Sequence, residues 1–280
     1  MPLDFRYHLA SLAAVFGALI IGVLLGVAMR EGPAITKQIS ALSTEYESSK
    51  ALRNIDARSD EFNSKTQGLM IHNRLVGRTI ALIANPLPNA GEQLTAIRTT
   101  LEAAGAIVNT TIVLTPALQQ LTPVRLAELH KAMGDTSTQP PVSPRELLGR
   151  MGHALGVTGT TMFTTLKDNK LIKVTGDPTL PLSAIVYIGG AAENESFLTD
   201  LDLPLLRACN ESGIPLVATE PFDVGVSKIS DYQKEASLTI DNIDRAAGRI
   251  TLVLALSKNL SGHFGYKDSA DTTVPDVEEK

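Results

Sequence analysis

The sequence predicts an α/β protein: a mostly parallel, open, Rossmann-like sheet with helices on both faces, behind a transmembrane helix and a helical, coiled-coil-like stalk. Three observations predict it. Short apolar, strand-like runs alternate with amphipathic helical segments from residue 76 to residue 266. The stretch Leu9–Met29 contains no Asp, Glu, Lys or Arg. Between the two lies a polar segment, residues 33–73, whose apolar residues recur at coiled-coil spacing.

Leu9–Met29 follows a short stub, residues 1–8. As a helix it would reach about 30 Å, the thickness of a bilayer core. The run exceeds the roughly 7–15-residue core of a secretory signal. Ala28-Met29-Arg30 is a poor cleavage site, so the segment reads as a retained anchor. The flanking charges nearly balance: Arg6 and Asp4 on one side, Arg30, Lys37 and Glu31 on the other. A short stub before a large domain favours a single-pass signal-anchor with the C-terminal domain outside the cell membrane. Ala10, Ala14, Ala18, Gly22 and Gly26 recur every four residues. Such a stripe lets two helices approach closely in lipid, although Ala and Gly are also common in membrane helices. Ala14, Ala18, Gly22 and Gly26 are the candidate self-association face.

The stalk begins at Pro33, which fits a first helical position after Gly32. Ile35, Ile39, Leu42 and Tyr46 form one seam, a candidate partner-binding face. After a phase change Leu52, Ile55, Phe62 and Leu69 resume it, with Ser59 and Thr66 between. A lone helix packing back on its own domain remains the plain alternative.

The α/β domain is expected over residues 76–266. Residues 78–84 are a buried strand closed by Asn85-Pro86-Leu87-Pro88. Residues 91–104 are a helix through Leu94, Ile97 and Leu101, with Gly105 as C-cap. Residues 106–114 are the next strand. A helix broken by Pro123 spans 118–133, and a second covers 144–155 after a Pro/Ser/Thr loop. Residues 166–174 read as a hairpin with Asp168-Asn169 at its tip. Ser183–Ile188 is a buried strand ending in Gly189-Gly190. A helix over 197–212 carries a break at Pro204, and strands follow at 214–218 and 238–240. The last helix, 245–260, has Asp241 and Asp244 as candidate N-caps; Gly262, His263 and Gly265 can end it. Residues 267–280 are acidic without apolar periodicity and are expected to be disordered.

The net charge of −5 argues against a nucleic-acid partner. The single cysteine, Cys209, forbids an intrachain disulfide and reads as a buried, inert thiol. Sheets of this class take ligands beyond the carboxyl ends of their strands. Two loops lie there, Asn85 to Gly91 and Gly189-Gly190, the second a candidate ligand loop. Neither has the glycine spacing of a nucleotide fingerprint. The five histidines are scattered. Met151, His153 and His263 are the candidate metal ligands, although a helical Met more often fills a core. No catalytic constellation can be argued from residue order, no cofactor is evident, and the residues read as non-enzymatic.

Two terminal segments resemble a known family. Tyr7-His8-Leu9-Ala10-Ser11-Leu12-Ala13-Ala14-Val15-Phe16, continuing through Ile20-Ile21-Gly22-Val23-Leu24-Leu25-Gly26, resembles the opening of the MctB family, named for a copper transport protein. Asp241-Asn242-Ile243-Asp244, the run from Gly248 to Leu256, and Gly262-His263-Phe264-Gly265-Tyr266 resemble its closing segment. The resemblance implies a copper-linked role in the cell envelope, with copper as the only implied ligand. The related SteB-type envelope proteins share the layout and act in a complex controlling a peptidoglycan hydrolase. That implies an alternative: a non-enzymatic scaffold, homodimeric through anchor and stalk, that binds an envelope protein.

Overall fold

A computed structural model describes residues 5–86, 90–134, 139–190 and 198–276. The chain divides into two compact units, Met1–Ser59 and Asp60–Lys280. Helix α1 runs Phe5–Ile71. Gly32 and Pro33 do not start it, as the sequence suggested; they lie within it. A proline removes one backbone donor, and the glycine- and proline-free run after it re-forms the ladder. Among the described residues no helix is long and apolar enough to cross a membrane. The side chains of Ala14, Gly22, Gly26, Ile35, Ile39 and Leu42 lie outside the described residues; Ala18 and Tyr46 are exposed.

The second unit is built on a seven-stranded sheet: β1 (Thr79–Ala84), β2 (Ile107–Leu114), β3 (Ile172–Gly176), β4 (Ala184–Ile188), β5 (Leu216–Thr219), β6 (Leu238–Ile240) and β7 (Gly262–Phe264). Their order is β3-β2-β1-β4-β5-β6-β7. Every pairing is parallel except β2 with β3. The order reverses between β1 and β4, so the crevice beyond their carboxyl ends is the switch point of the sheet.

Strand residues alternate between two cores. Ile80 and Leu82 face one with Ile97 and Leu101 of α2 (Ala90–Ala103) and Leu252 and Val253 of α8 (Ala246–Lys258). Ala81 and Ile83 face the other, beneath α3 (Pro123–Ala132), α4 (Pro144–Ala154), α5 (Met162–Asp168), α6 (Leu203–Glu211) and α7 (Ile229–Tyr232). Burial on both faces is why β1 and β4 read as unbroken apolar runs.

Several expectations are corrected. Pro123 opens α3 rather than breaking a longer helix: Thr122 caps it, and a 3-10 turn over Pro116–Gln120 precedes it. Residues 166–174 are not a hairpin. Asp168 ends α5, Lys170 turns the chain at φ 59°, and Ile172 enters β3 opposite Leu114. Asp241 and Asp244 do not cap α8, whose N-cap is Arg245. Gly262, His263 and Gly265 do not end it, because Asn259 does so in the left-handed conformation; Gly262 and His263 belong to β7. The tail is not disordered over its described residues: Thr272 bridges to Phe264, and Asp271 N donates to His263 O at 2.7 Å; residues 277–280 lie outside the described residues. Periodicity missed this because the segment is held by single polar contacts rather than by an apolar face. The domain also reaches back before Val76, with Ile71 and Leu75 fully buried in its core.

Candidate functional site

The most distinctive chemistry lies at the switch point. Asn85 follows β1, and its backbone N donates to Ile188 O at 3.0 Å, which draws the β1 and β4 loops together. Its side-chain Nδ2 donates to both carboxylate oxygens of Asp202 at 3.0 Å. Tyr187, next to the carboxyl end of β4, donates its hydroxyl to Asn85 Oδ1 at 2.8 Å. Tyr232, at the end of α7, donates to Asp202 Oδ2 at 2.7 Å and accepts from Gly190 N at 3.2 Å. The two tyrosine rings meet edge-on, 5.8 Å apart. All four side chains are buried. A π-helical turn over Leu198–Asp202 delivers the aspartate to the head of α6.

The electrostatics follow from that burial. Desolvation pushes the Asp202 carboxyl up to about 6, against the lowering effects of Tyr187, Tyr232, Asn85 and the nearby Lys228 ammonium. Burial and the neighbouring carboxylate push both tyrosine hydroxyls well above their usual range, so they remain donors at neutral pH. Every oxygen of Asp202 is engaged, and the network forms a closed, satisfied set.

The Asn85 and Gly189-Gly190 ends of the two candidate loops lie side by side, and protein packs closely on the Gly189-Gly190 turn. A Cβ at Gly189 would overlap the Tyr232 ring. Gly190 sits at φ 89°, and a Cβ there would press on Glu220, Val224 and Pro221. These glycines admit a tyrosine to the crevice. Beside it Glu220, fully buried at the end of β5, accepts from Lys228 N at 2.9 Å and from the Ser227 hydroxyl and the Lys267 ammonium. Asp241 accepts from the backbone N of Tyr266 at 2.7 Å and of Lys267 at 2.9 Å. Residues 265–272 thereby strap the carboxyl edge of β5 and β6.

The candidate metal ligands are not brought together. Met151 is buried in the α4 core, as its helical spacing implied. His153 lies half-exposed, with its Nε2 3.3 Å from Glu211 Oε2. His263 sits on the far edge strand, its Nδ1 3.0 Å from Thr239 Oγ1. Among the described residues no three His, Cys, Asp or Glu side chains group as a metal site. Cys209 is buried in the core, which pushes its thiol up to about 12.

Sequence reading missed Tyr187, Asp202 and Tyr232. The available signals were a tyrosine within the apolar strand Ala-Ile-Val-Tyr-Ile and an aspartate two residues before Pro204.

The family model described as "Copper transport outer membrane protein, MctB" matches residues 3–275. The chain belongs to the MctB family. Proteins named "Copper transporter MctB" from Mycobacterium bovis and from two strains of Mycobacterium tuberculosis are each 25% identical to it, over 94% of this chain and 95% of theirs. A solved structure of the bifunctional enzyme FolD from Campylobacter jejuni covers 67% of the chain and 71% of its own at 15% identity. Its TM-score of 0.14 is too low to carry an argument.

Proposed function

We propose that this chain is a membrane-anchored envelope protein of copper handling, with its α/β domain outside the membrane as a binding module. Family membership supports the copper link. The observation that carries the anchor is the surface of α1. Leu12, Val15, Phe16, Leu19, Ile20, Ile21 and Val23 are each more than half exposed, within a stretch free of charge. An exposed apolar helix surface of that extent is stable in lipid and costly in water. Self-association through Ala14, Ala18, Gly22 and Gly26 fits the same reading.

A second reading, a non-enzymatic scaffold for an envelope protein, is favoured by the close packing of Tyr232 on Gly189 at the end of β4, beside the place where such sheets take a small ligand. The recruiting face would then be the stalk, Ile35, Ile39, Leu42 and Tyr46.

One pair of experiments separates these. Membrane fractionation with carbonate extraction should leave the full chain in the pellet; release into the supernatant would overturn the anchor. A deletion strain should lose copper tolerance and regain it with the intact gene. Unchanged tolerance, with an envelope partner lost on Ile39→Asp/Leu42→Asp, would replace the copper reading with the scaffold.

A further inference from the structure

The C-terminal end of α1 is held to the domain along one side only. Asp60 Oδ1 accepts from Ala246 N at 2.8 Å, Gln67 Nε2 donates to Thr100 Oγ1 at 3.3 Å, and Ile71 is fully buried in the core. At about 100° per residue these three share one side of the helix, and Phe62 and Leu69 fall on the opposite side. Those two side chains are 66% and 87% exposed. Ile55, seven residues before Phe62 on the same helix, is 63% exposed. Ile55, Phe62 and Leu69 thus recur at the heptad interval, with Ser59 and Thr66 at the companion positions. Large apolar side chains left in water in a regular stripe mark a surface that is covered when the protein works.

We propose that the Ile55, Phe62 and Leu69 stripe is the seam of a short, parallel coiled coil between two copies of this chain, with each α/β domain packed on the outer side of its own helix.

The flanks of the stripe select the occupant. With Ile55, Phe62 and Leu69 at heptad position d, Ser59 and Thr66 stand at a. Asp60 and Gln67 then stand at b and Ile71 at f, the outer positions of a coiled coil, so contact with the domain leaves the seam clear. Arg58 and Lys65 stand at g, and Asp56 and Asn63 at e. Lys65 also pairs with Glu61 of its own helix at 2.6 Å. An antiparallel pair sets the Arg58 and Lys65 flank against its own copy. A parallel pair sets it against the Asp56 and Asn63 flank, which removes the like-charge contact. Two chains held by the same N-terminal stretch in one membrane are also parallel; in this respect the coiled coil rests on the anchor proposed above. Three apolar layers are fewer than a free coiled coil needs, and confinement of both chains to one membrane supplies the effective concentration that makes up the difference.

The test uses the full-length chain in whole cells. Cys209 is buried, so a cysteine placed on α1 reports by itself. Ser59→Cys and Thr66→Cys each set a thiol in the seam, and Ser64→Cys sets one at an exposed outer position. In a parallel pair, matching seam positions lie within disulfide reach. Mild oxidation with diamide should join Ser59→Cys and Thr66→Cys each to a second copy and leave Ser64→Cys monomeric. Adding Phe62→Asp to Thr66→Cys should cut the joined fraction by about tenfold, as for a charge in place of a large apolar side chain at a buried seam. If the Phe62→Asp chain does not accumulate, the three cysteine positions decide alone. Equal joining at all three positions, no joining at the seam, or joining only to a different protein overturns the pair. Carbonate extraction of the same cells is read separately: release of the chain removes the anchor, while the pattern of joining still decides the coiled coil.

Discussion

At the scale of single residues, burial decides chemistry. Asp202 is the clearest case, because its carboxyl is raised from 3.8 to about 6. A carboxyl raised in the folded state adds stability that is complete below its unfolded value and is lost as pH rises through the folded one. This residue alone should therefore lower the unfolding free energy by about 2 kcal/mol between pH 4 and pH 7. Denaturant melts across that window check it, with Asp202→Asn as the reference that lacks this contribution; parallel slopes in both would refute it. Gly189 is a second case, since the Tyr232 ring occupies the place of its side chain. Gly189→Ala should cost about 1–3 kcal/mol through overpacking. Tyr232→Phe removes the nearest overlapping atom, the hydroxyl, but leaves ring carbons 2.6 Å from the added Cβ, so Gly189→Ala should remain destabilising in a Tyr232→Phe background, by less than in the parent.

At the scale of elements, the helices are joined by side chains acting across the fold. Helix α8 lacks a side-chain cap of its own. Asp60 of α1 supplies one: its Oδ1 accepts from Ala246 N at 2.8 Å. Further along α1, Gln67 Nε2 donates to Thr100 Oγ1 at 3.3 Å, and Ile71 is buried against the same core. Asp60→Ala should cost about 1 kcal/mol, as for a lost N-cap. Asp60→Asn should recover most of it, because an amide oxygen also caps. Equal losses in the two variants would mean that the negative charge, beside the Arg249 guanidinium, is what matters. Helices α4 and α6 meet at Gly152, where a Cβ would stand 2.7 Å from that of Ala208. That close approach holds His153 beside Glu211.

At the scale of the whole molecule, the C-terminal strap ties residues 265–272 to the carboxyl ends of β5 and β6. The Lys267 ammonium pairs with Glu220, which is fully buried. Removing one partner of such a pair leaves an uncompensated charge, so Lys267→Met should destabilise the domain by about 3–5 kcal/mol. The double change Lys267→Met/Glu220→Gln should restore much of that loss. Thermal melts of the two variants check the pair, and a double variant no more stable than the single one would show that the strap acts through something other than charge.

Much of the molecule was legible because its signals are local. Apolar runs bounded by Pro and Gly gave β1, β2, β4 and β5. Helical spacing of Leu94, Ile97 and Leu101 gave α2, and the apolar run from Ile250 to Leu256 gave α8. The resemblance at the two ends pointed to the family that the whole chain matches. The site was legible only in part: the Asn85 and Gly189-Gly190 loops were singled out, but as open ligand loops. The packing of Tyr232 on the second of them depends on a contact 42 residues away along the chain.

The sequence by itself determined the alternation of strands and helices, the uncharged N-terminal stretch and the buried thiol, because periodicity, charge and composition act within a few residues of each other. Only the tertiary structure decided what packs on the Gly189-Gly190 turn, what caps α8 and what fastens residues 265–272. Each of these is a single polar contact between residues far apart in the chain, and no period or composition records which distant partner a carboxylate will meet once the sheet has formed.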